Sequence, residues 1–169
     1  MSEPDSVTAA APVQSFWRRK VLGPVLAQLR QGITPEKIAL TAALGAVIAV
    51  FPILGSTTVL CGLVAWGLRL NQPIIQLVNY LCYPLQFVLL LPFYRAGEWF
   101  GAPHVALSIP EMISRFQAGP MEFIAEFGLV ALGGVAAWIA AAPLAITALY
   151  FGLRPTLRRL ARRSRVVPL

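Results

Sequence analysis

Residues 38–68, IALTAALGAVIAVFPILGSTTVLCGLVAWGL, contain no charged side chain. No ordinary soluble domain buries so long an apolar run, whereas a bilayer does. Its centre, Phe51-Pro52-Ile53-Leu54-Gly55-Ser56-Thr57-Thr58, interrupts an otherwise helix-forming stretch. A perpendicular span needs about 20 residues. Residues 38–51 and 55–68 each fall short of that, and together they are too long for one straight helix. Two readings fit. One is a single kinked span; the other is a helical hairpin that enters, turns at Pro52–Gly55 and leaves on the same side. Irregular backbone at membrane depth is tolerated where protein or trapped water covers it.

The charge distribution agrees with a membrane protein. Charged residues are 12% of the chain, against about one quarter in a soluble domain. The net charge of +7 sits at the ends. Arg18, Arg19, Lys20, Arg30 and Lys37 lie near the start, and Arg154, Arg158, Arg159, Arg162, Arg163 and Arg165 close the chain. Such ends suit anionic headgroups, and Arg18, Arg19, Lys20 and the six C-terminal arginines are the expected anionic-lipid contacts. Aromatics are not interleaved with the arginines, so nucleic acid is not an expected partner. Cys61 and Cys82 sit inside apolar segments and read as buried thiols.

Taken in order, residues 1–15 read as a disordered tail without the basic-then-apolar order of a signal peptide. Residues 16–30, with Phe16 and Trp17 beside Arg18-Arg19-Lys20, predict an interfacial helix interrupted at Gly23-Pro24. Gly32-Ile33-Thr34-Pro35-Glu36 is a helix start that opens the hairpin region, 35–69. Residues 72–94 predict a second span, broken by Pro84 and Pro92. Residues 108–118 carry Ile109, Met112, Ile113 and Phe116 at helical spacing, a second interfacial stripe. A final span covers 121–153, and residues 154–169 form a basic tail. Residues 16–153 are thus one all-helical membrane domain.

Lys/Arg placement sets the topology. Both basic ends belong on the cytoplasmic side, which requires an even number of crossings. Residues 72–94 and 127–153 supply two, so residues 38–68 contribute none or two. Parity therefore favours the hairpin over the single span. The expected location is the bacterial inner membrane with both termini cytoplasmic.

Two constellations are candidate ligand sites. Gly55, Ser56, Thr57 and Thr58 would open the second half of the hairpin, where free amides attract anions; a turn capped by its own hydroxyls explains the same residues. Gln72, Gln76, Asn79, Tyr83 and Gln86 recur at helical spacing and share one face. That face either bonds a neighbouring helix or walls a polar cavity, and the two constellations are expected to face each other across one. His104 lacks a nearby carboxylate or Cys partner in sequence and reads as a solvent-facing loop residue. No catalytic set, metal set or cofactor motif is visible.

GITPEKIALTAALGAVIAVFPILGSTT, LRLNQPIIQLVNYLCYPLQ and PFYRAGE together resemble the bacterial domain-of-unknown-function 2062 family over about residues 30–153. The marks are a Gly-x-Thr-Pro helix start, a Phe-Pro-x-x-Gly-Ser-Thr break and an Arg-x-Asn-x-Pro link. Many relatives have Asn-Pro where this chain has Tyr83-Pro84. The resemblance implies a small integral membrane protein and, because some relatives are joined to glycosyltransferase domains, a link to envelope glycan or lipid synthesis. The expected function is non-enzymatic: to bind, position or move a lipid or lipid-linked intermediate beside a biosynthetic enzyme such as a glycosyltransferase. A small-solute transporter or channel subunit is the alternative.

Overall fold

The computed structural model describes Gly23, residues 33–104 and residues 108–166. The expected 1–15 tail and 16–30 helix, with Arg18, Arg19 and Lys20, lie outside the described residues, Gly23 excepted. Among the described residues the chain is all-helical. Helix α1 spans Pro35–Ala49, α2 Thr57–Gly67, α3 Gln72–Gly97, α4 Ile109–Ala118 and α5 Pro120–Val166, with a 3₁₀ turn at Glu98–Phe100. Two segments are long and apolar enough to cross a membrane, Gln72–Phe100 and Phe127–Arg162.

Local chemistry starts and stops these helices. Thr34 Oγ1 accepts from the Lys37 amide at 3.3 Å, and Pro35 takes the first turn, where a missing N–H costs nothing. Asn71 Oδ1 does the same for the Ile74 amide at the start of α3. At the start of α4, Glu111 accepts from both the amide and the hydroxyl of Ser108. Those two bonds hold the Glu111 carboxyl below its ordinary value. Helix α2 ends in a Schellman turn: the Leu70 amide bonds Ala65 O at 2.8 Å and the Arg69 amide bonds Trp66 O at 3.2 Å. Arg69 occupies the left-handed position, φ 51°, where glycine is usual, and Leu70 packs back onto the Cys61–Ala65 cluster.

Helix α1 is the innermost. Ile38, Ala39, Ala43, Val47 and Ile48 are all buried. Its small residues allow close approach: a Cβ at Gly45 would lie 3.0 Å from Ile75 O on α3. Contacts fix the directions. Gly45 meets Ile75, and Phe51 O meets Gln86, so α1 and α3 run parallel. Thr58 meets Asn79 and Gly62 meets Gln72, so α2 runs antiparallel to α3. Val47 meets Trp138 and Glu36 meets Arg158, so α5 is antiparallel to α1. Residues 35–67 are therefore a hairpin that returns to its starting level. Its turn lies level with Gln86, partway along α3. At the other end, Gly97 of α3 crosses Gly133 and Gly134 of α5; a Cβ on Gly97 would lie 2.5 Å from the Gly133 carbonyl carbon.

Two expectations are corrected. Residues 72–94 are not broken at Pro84 and Pro92; α3 runs through both. Each proline ring lies on the exposed side of the helix, away from its packed face. Nor does a separate tail follow the last span at 153. Helix α5 carries on through Pro143, Pro155 and the arginines to Val166, because Leu, Ala and Arg are good helix formers.

Candidate functional site

Interrupting the hairpin at residues 50–56 leaves the last carbonyls of α1 without intrahelical partners. Other elements supply side-chain donors. Trp138 Nε1 donates to Val47 O at 3.0 Å, Gln86 Nε2 to Phe51 O at 2.7 Å, and Tyr94 Oη to Pro52 O at 2.9 Å. Ser56 Oγ donates to Ile53 O at 2.8 Å, and Gln86 Nε2 lies 3.4 Å from that carbonyl too. Ser56 thus closes the turn and makes no side-chain cap for α2. Gly55 takes φ +81°, a conformation that glycine adopts without strain. Phe51 stands edge-on to Trp138 with ring centroids 5.0 Å apart.

The amide face of α3 continues this pattern down α2. Gln76 Nε2 donates to Thr58 O at 3.0 Å, Asn79 Nδ2 to Thr58 Oγ1 at 3.4 Å, and Gln72 Nε2 to Gly62 O at 2.9 Å. Of the predicted Gly55–Thr58 group, Thr58 meets the stripe, through Gln76 and Asn79, while Gln72 reaches Gly62 and Gln86 reaches Phe51 and Ile53. These contacts are direct hydrogen bonds, a seam between α2 and α3 where a cavity was expected. The physical reason is reach: an amide two or three carbons from the backbone bridges adjacent helices without a ligand. Tyr83 is a second correction. It leaves the seam, is half-exposed and packs edge-on to Phe87. Each bonded amide turns its NH₂ to the hairpin, and the buried oxygens Gln76 Oε1, Asn79 Oδ1 and Gln86 Oε1 have no protein partner.

A cavity does exist at the other end of the hairpin. A groove of about 560 Å³ opens between the start of α1, the end of α2 and α5. Leu40, Leu68, Leu70, Ile146 and Phe151 make its apolar walls, and Thr34, Glu36, Lys37, Thr147 and Tyr150 its polar rim. Glu36 Oε1 is bonded to Arg158 Nε at 2.5 Å and stands 3.8 Å from Arg154 Nε. Arg154 Nε is buried and has no hydrogen-bond partner, and its guanidinium lies 5.9 Å from the centre of the Tyr150 ring. The Arg158 hydrogen bond, backed by the charge of both arginines, holds the Glu36 carboxyl below its ordinary value. Of the other predicted lipid contacts, Arg159 and Arg162 are exposed on α5. Arg163 and Arg165 lie on the same helix, their side chains outside the described set.

A family of uncharacterized proteins conserved in bacteria, DUF2062, matches residues 19–166. The chain belongs to this family. No curated protein and no solved structure matches it. The family marks read from the sequence fall on structural joints of the hairpin: Thr34-Pro35 caps α1, the Phe51–Thr58 break is its turn, and Arg69-Leu70-Asn71 is the Schellman turn that passes into the cap of α3.

The far end of this DUF2062 chain carries a polar cluster of Arg95, Glu98 and His104. His104 Nδ1 lies 2.9 Å from Glu98 Oε1, and Arg95 Nη1 lies 3.5 Å from the same oxygen. His104 is solvent-facing as expected, but it has a carboxylate partner. Among the described residues no group of three His, Cys, Asp or Glu could hold a metal ion. Tyr94 and Trp138 were not singled out from sequence. Their signal was a phenol and an indole N–H inside apolar segments, tips that seek a partner when buried.

Proposed function

We propose that this DUF2062 protein is an integral protein of the bacterial inner membrane, with both termini cytoplasmic, and that it binds and positions a lipid or lipid-linked intermediate. Its working partner is an envelope-biosynthesis enzyme of the glycosyltransferase kind, and it performs no chemistry itself.

Support for membrane insertion comes from the outward faces. Only 28% of the most apolar window in each long helix is buried. Trp66, Trp99, Val88, Leu132 and Leu144 all face outward, a surface suited to lipid. Helix α1 is about 22 Å long at 1.5 Å per residue, less than the roughly 30 Å of a hydrocarbon core, so the hairpin is re-entrant.

The single observation that carries the lipid reading is the groove. It is apolar inside, has charged residues at its mouth, and lies between the start of α1, the end of α2 and α5. Its volume of about 560 Å³ falls within the roughly 300–1,000 Å³ usual for small-ligand sites. Native mass spectrometry of the protein released from nanodiscs tests the reading. One retained lipid per chain is expected, lost when Ile146→Trp fills the groove. Solute flux in liposomes with no retained lipid would reverse it.

A further inference from the structure

The groove's mouth is more specific than its walls. Glu36 and Lys37 line the groove, and two arginines, Arg154 and Arg158, reach the Glu36 carboxylate from α5. Glu36 cannot satisfy both arginines: it bonds Arg158, while Arg154 Nε, 3.8 Å away, remains a buried donor without an acceptor. Guanidinium donors in a partly desolvated place match the tetrahedral oxygens of a phosphate. The walls behind them are aliphatic and aromatic.

Resting on the lipid reading above, we infer that the groove holds a lipid bearing a phosphate headgroup. Its tail lies along Leu40, Ile146 and Phe151, and its phosphate is held by Arg154, Arg158 and Lys37. Glu36 is the internal competitor for those arginines, displaced when the phosphate arrives. The ion pair joins the first turn of α1 to the last part of α5, so displacement loosens the hairpin base from α5 and widens the groove. Charge decides between this occupant and the chain's own residues 16–30. That segment is apolar enough to enter, but Arg18, Arg19 and Lys20 would add three cations to a mouth already positive. A phosphate neutralises it.

The test uses the full chain in nanodiscs holding phosphatidylglycerol or diacylglycerol of the same chain length in a neutral background, with retained lipid read by native mass spectrometry. Wild type should retain phosphatidylglycerol at least tenfold over diacylglycerol. Arg154→Gln/Arg158→Gln should bring that ratio to within about twofold. Glu36→Gln should raise phosphatidylglycerol retention severalfold, because it frees both arginines. Arg159→Gln/Arg162→Gln removes the same charge from the same helix and should leave the ratio unchanged. If the double variant fails to fold, Arg158→Gln alone should lower the ratio, since this exposed side chain holds no core packing. An equal fall in both arginine pairs would mean a general surface attraction and overturn the assignment. Equal retention of both lipids by wild type overturns the phosphate site while leaving the lipid reading intact; retention of neither removes both. Substituting Val21, Leu22, Val25 and Leu26 by Ser should not change retention, and a several-fold rise would give the groove to that segment instead.

Discussion

Pro52 and the four prolines inside α3 and α5 meet the same covalent constraint and end differently. At Pro52 the chain turns back on itself. At Pro84, Pro92, Pro143 and Pro155 the helix continues. The rings of those four are exposed, and Pro52 is fully buried. Two further things distinguish the break. Gly55 supplies the left-handed residue that a reversal needs, and side chains from α3 and α5 supply donors for the freed carbonyls. A proline therefore weakens a helix, but this reversal also has a glycine and external donors. Where those are missing, staying helical is the cheaper way to keep backbone groups bonded.

The largest expected effect tests what holds α3 against α5 past Pro92. Gly97→Leu drives a side chain into the Gly133 backbone, which cannot move aside as a side chain would. A loss of about 3 kcal/mol or more is expected, read as thermal unfolding in detergent. An unchanged melting temperature would mean that α3 needs no clamp from α5.

Next comes Gln86→Leu. It keeps the volume and removes the donor to Phe51 O and Ile53 O. A buried carbonyl left bare costs about 1–3 kcal/mol, so the hairpin turn should loosen, with faster amide exchange confined to residues 50–60. Tyr94→Phe removes one donor only, to Pro52 O, and should cost about 1 kcal/mol. If Tyr94→Phe proves the costlier of the two, Gln86 is not the main support of the turn.

Gly55→Ala puts a Cβ at φ +81° with open space around it, so strain alone is added. That is worth about 1 kcal/mol. Pro84→Ala should change stability by less than about 1 kcal/mol, as an exposed site whose helix already accommodates the ring. A large loss there would erase the contrast between the two kinds of proline.

The smallest effect is a pH dependence at the hairpin base. The Arg158 hydrogen bond lowers the Glu36 pKa from its ordinary value on folding. Its contribution is therefore complete above that value and fades as pH falls below it. Glu36→Gln should flatten this slope between about pH 5 and pH 3. A slope left unchanged would assign the acid sensitivity to other carboxylates, Glu111 first among them.

Much of this was legible in the residues alone. Charge-free runs and Lys/Arg parity led to a hairpin, because apolar length and end charge act locally and need no neighbours. Thr34 announces a helix start for the same reason: a cap is made within four residues. The 4-3 spacing of Gln72, Gln76, Asn79 and Gln86 identified a common face, since helical periodicity is a property of one element. What lay opposite that face was decided only when α2 packed against α3 at hydrogen-bonding distance, turning a predicted cavity into a seam. Tyr83 shares the spacing yet points away, because α2 and the turn cover only part of the arc. Tyr94 and Trp138 reach the break from 42 and 91 residues away. The groove belongs wholly to tertiary structure: Leu40, Leu68 and Ile146 lie on three separate helices or their ends, and no local rule brings them to Glu36, Arg154 and Arg158.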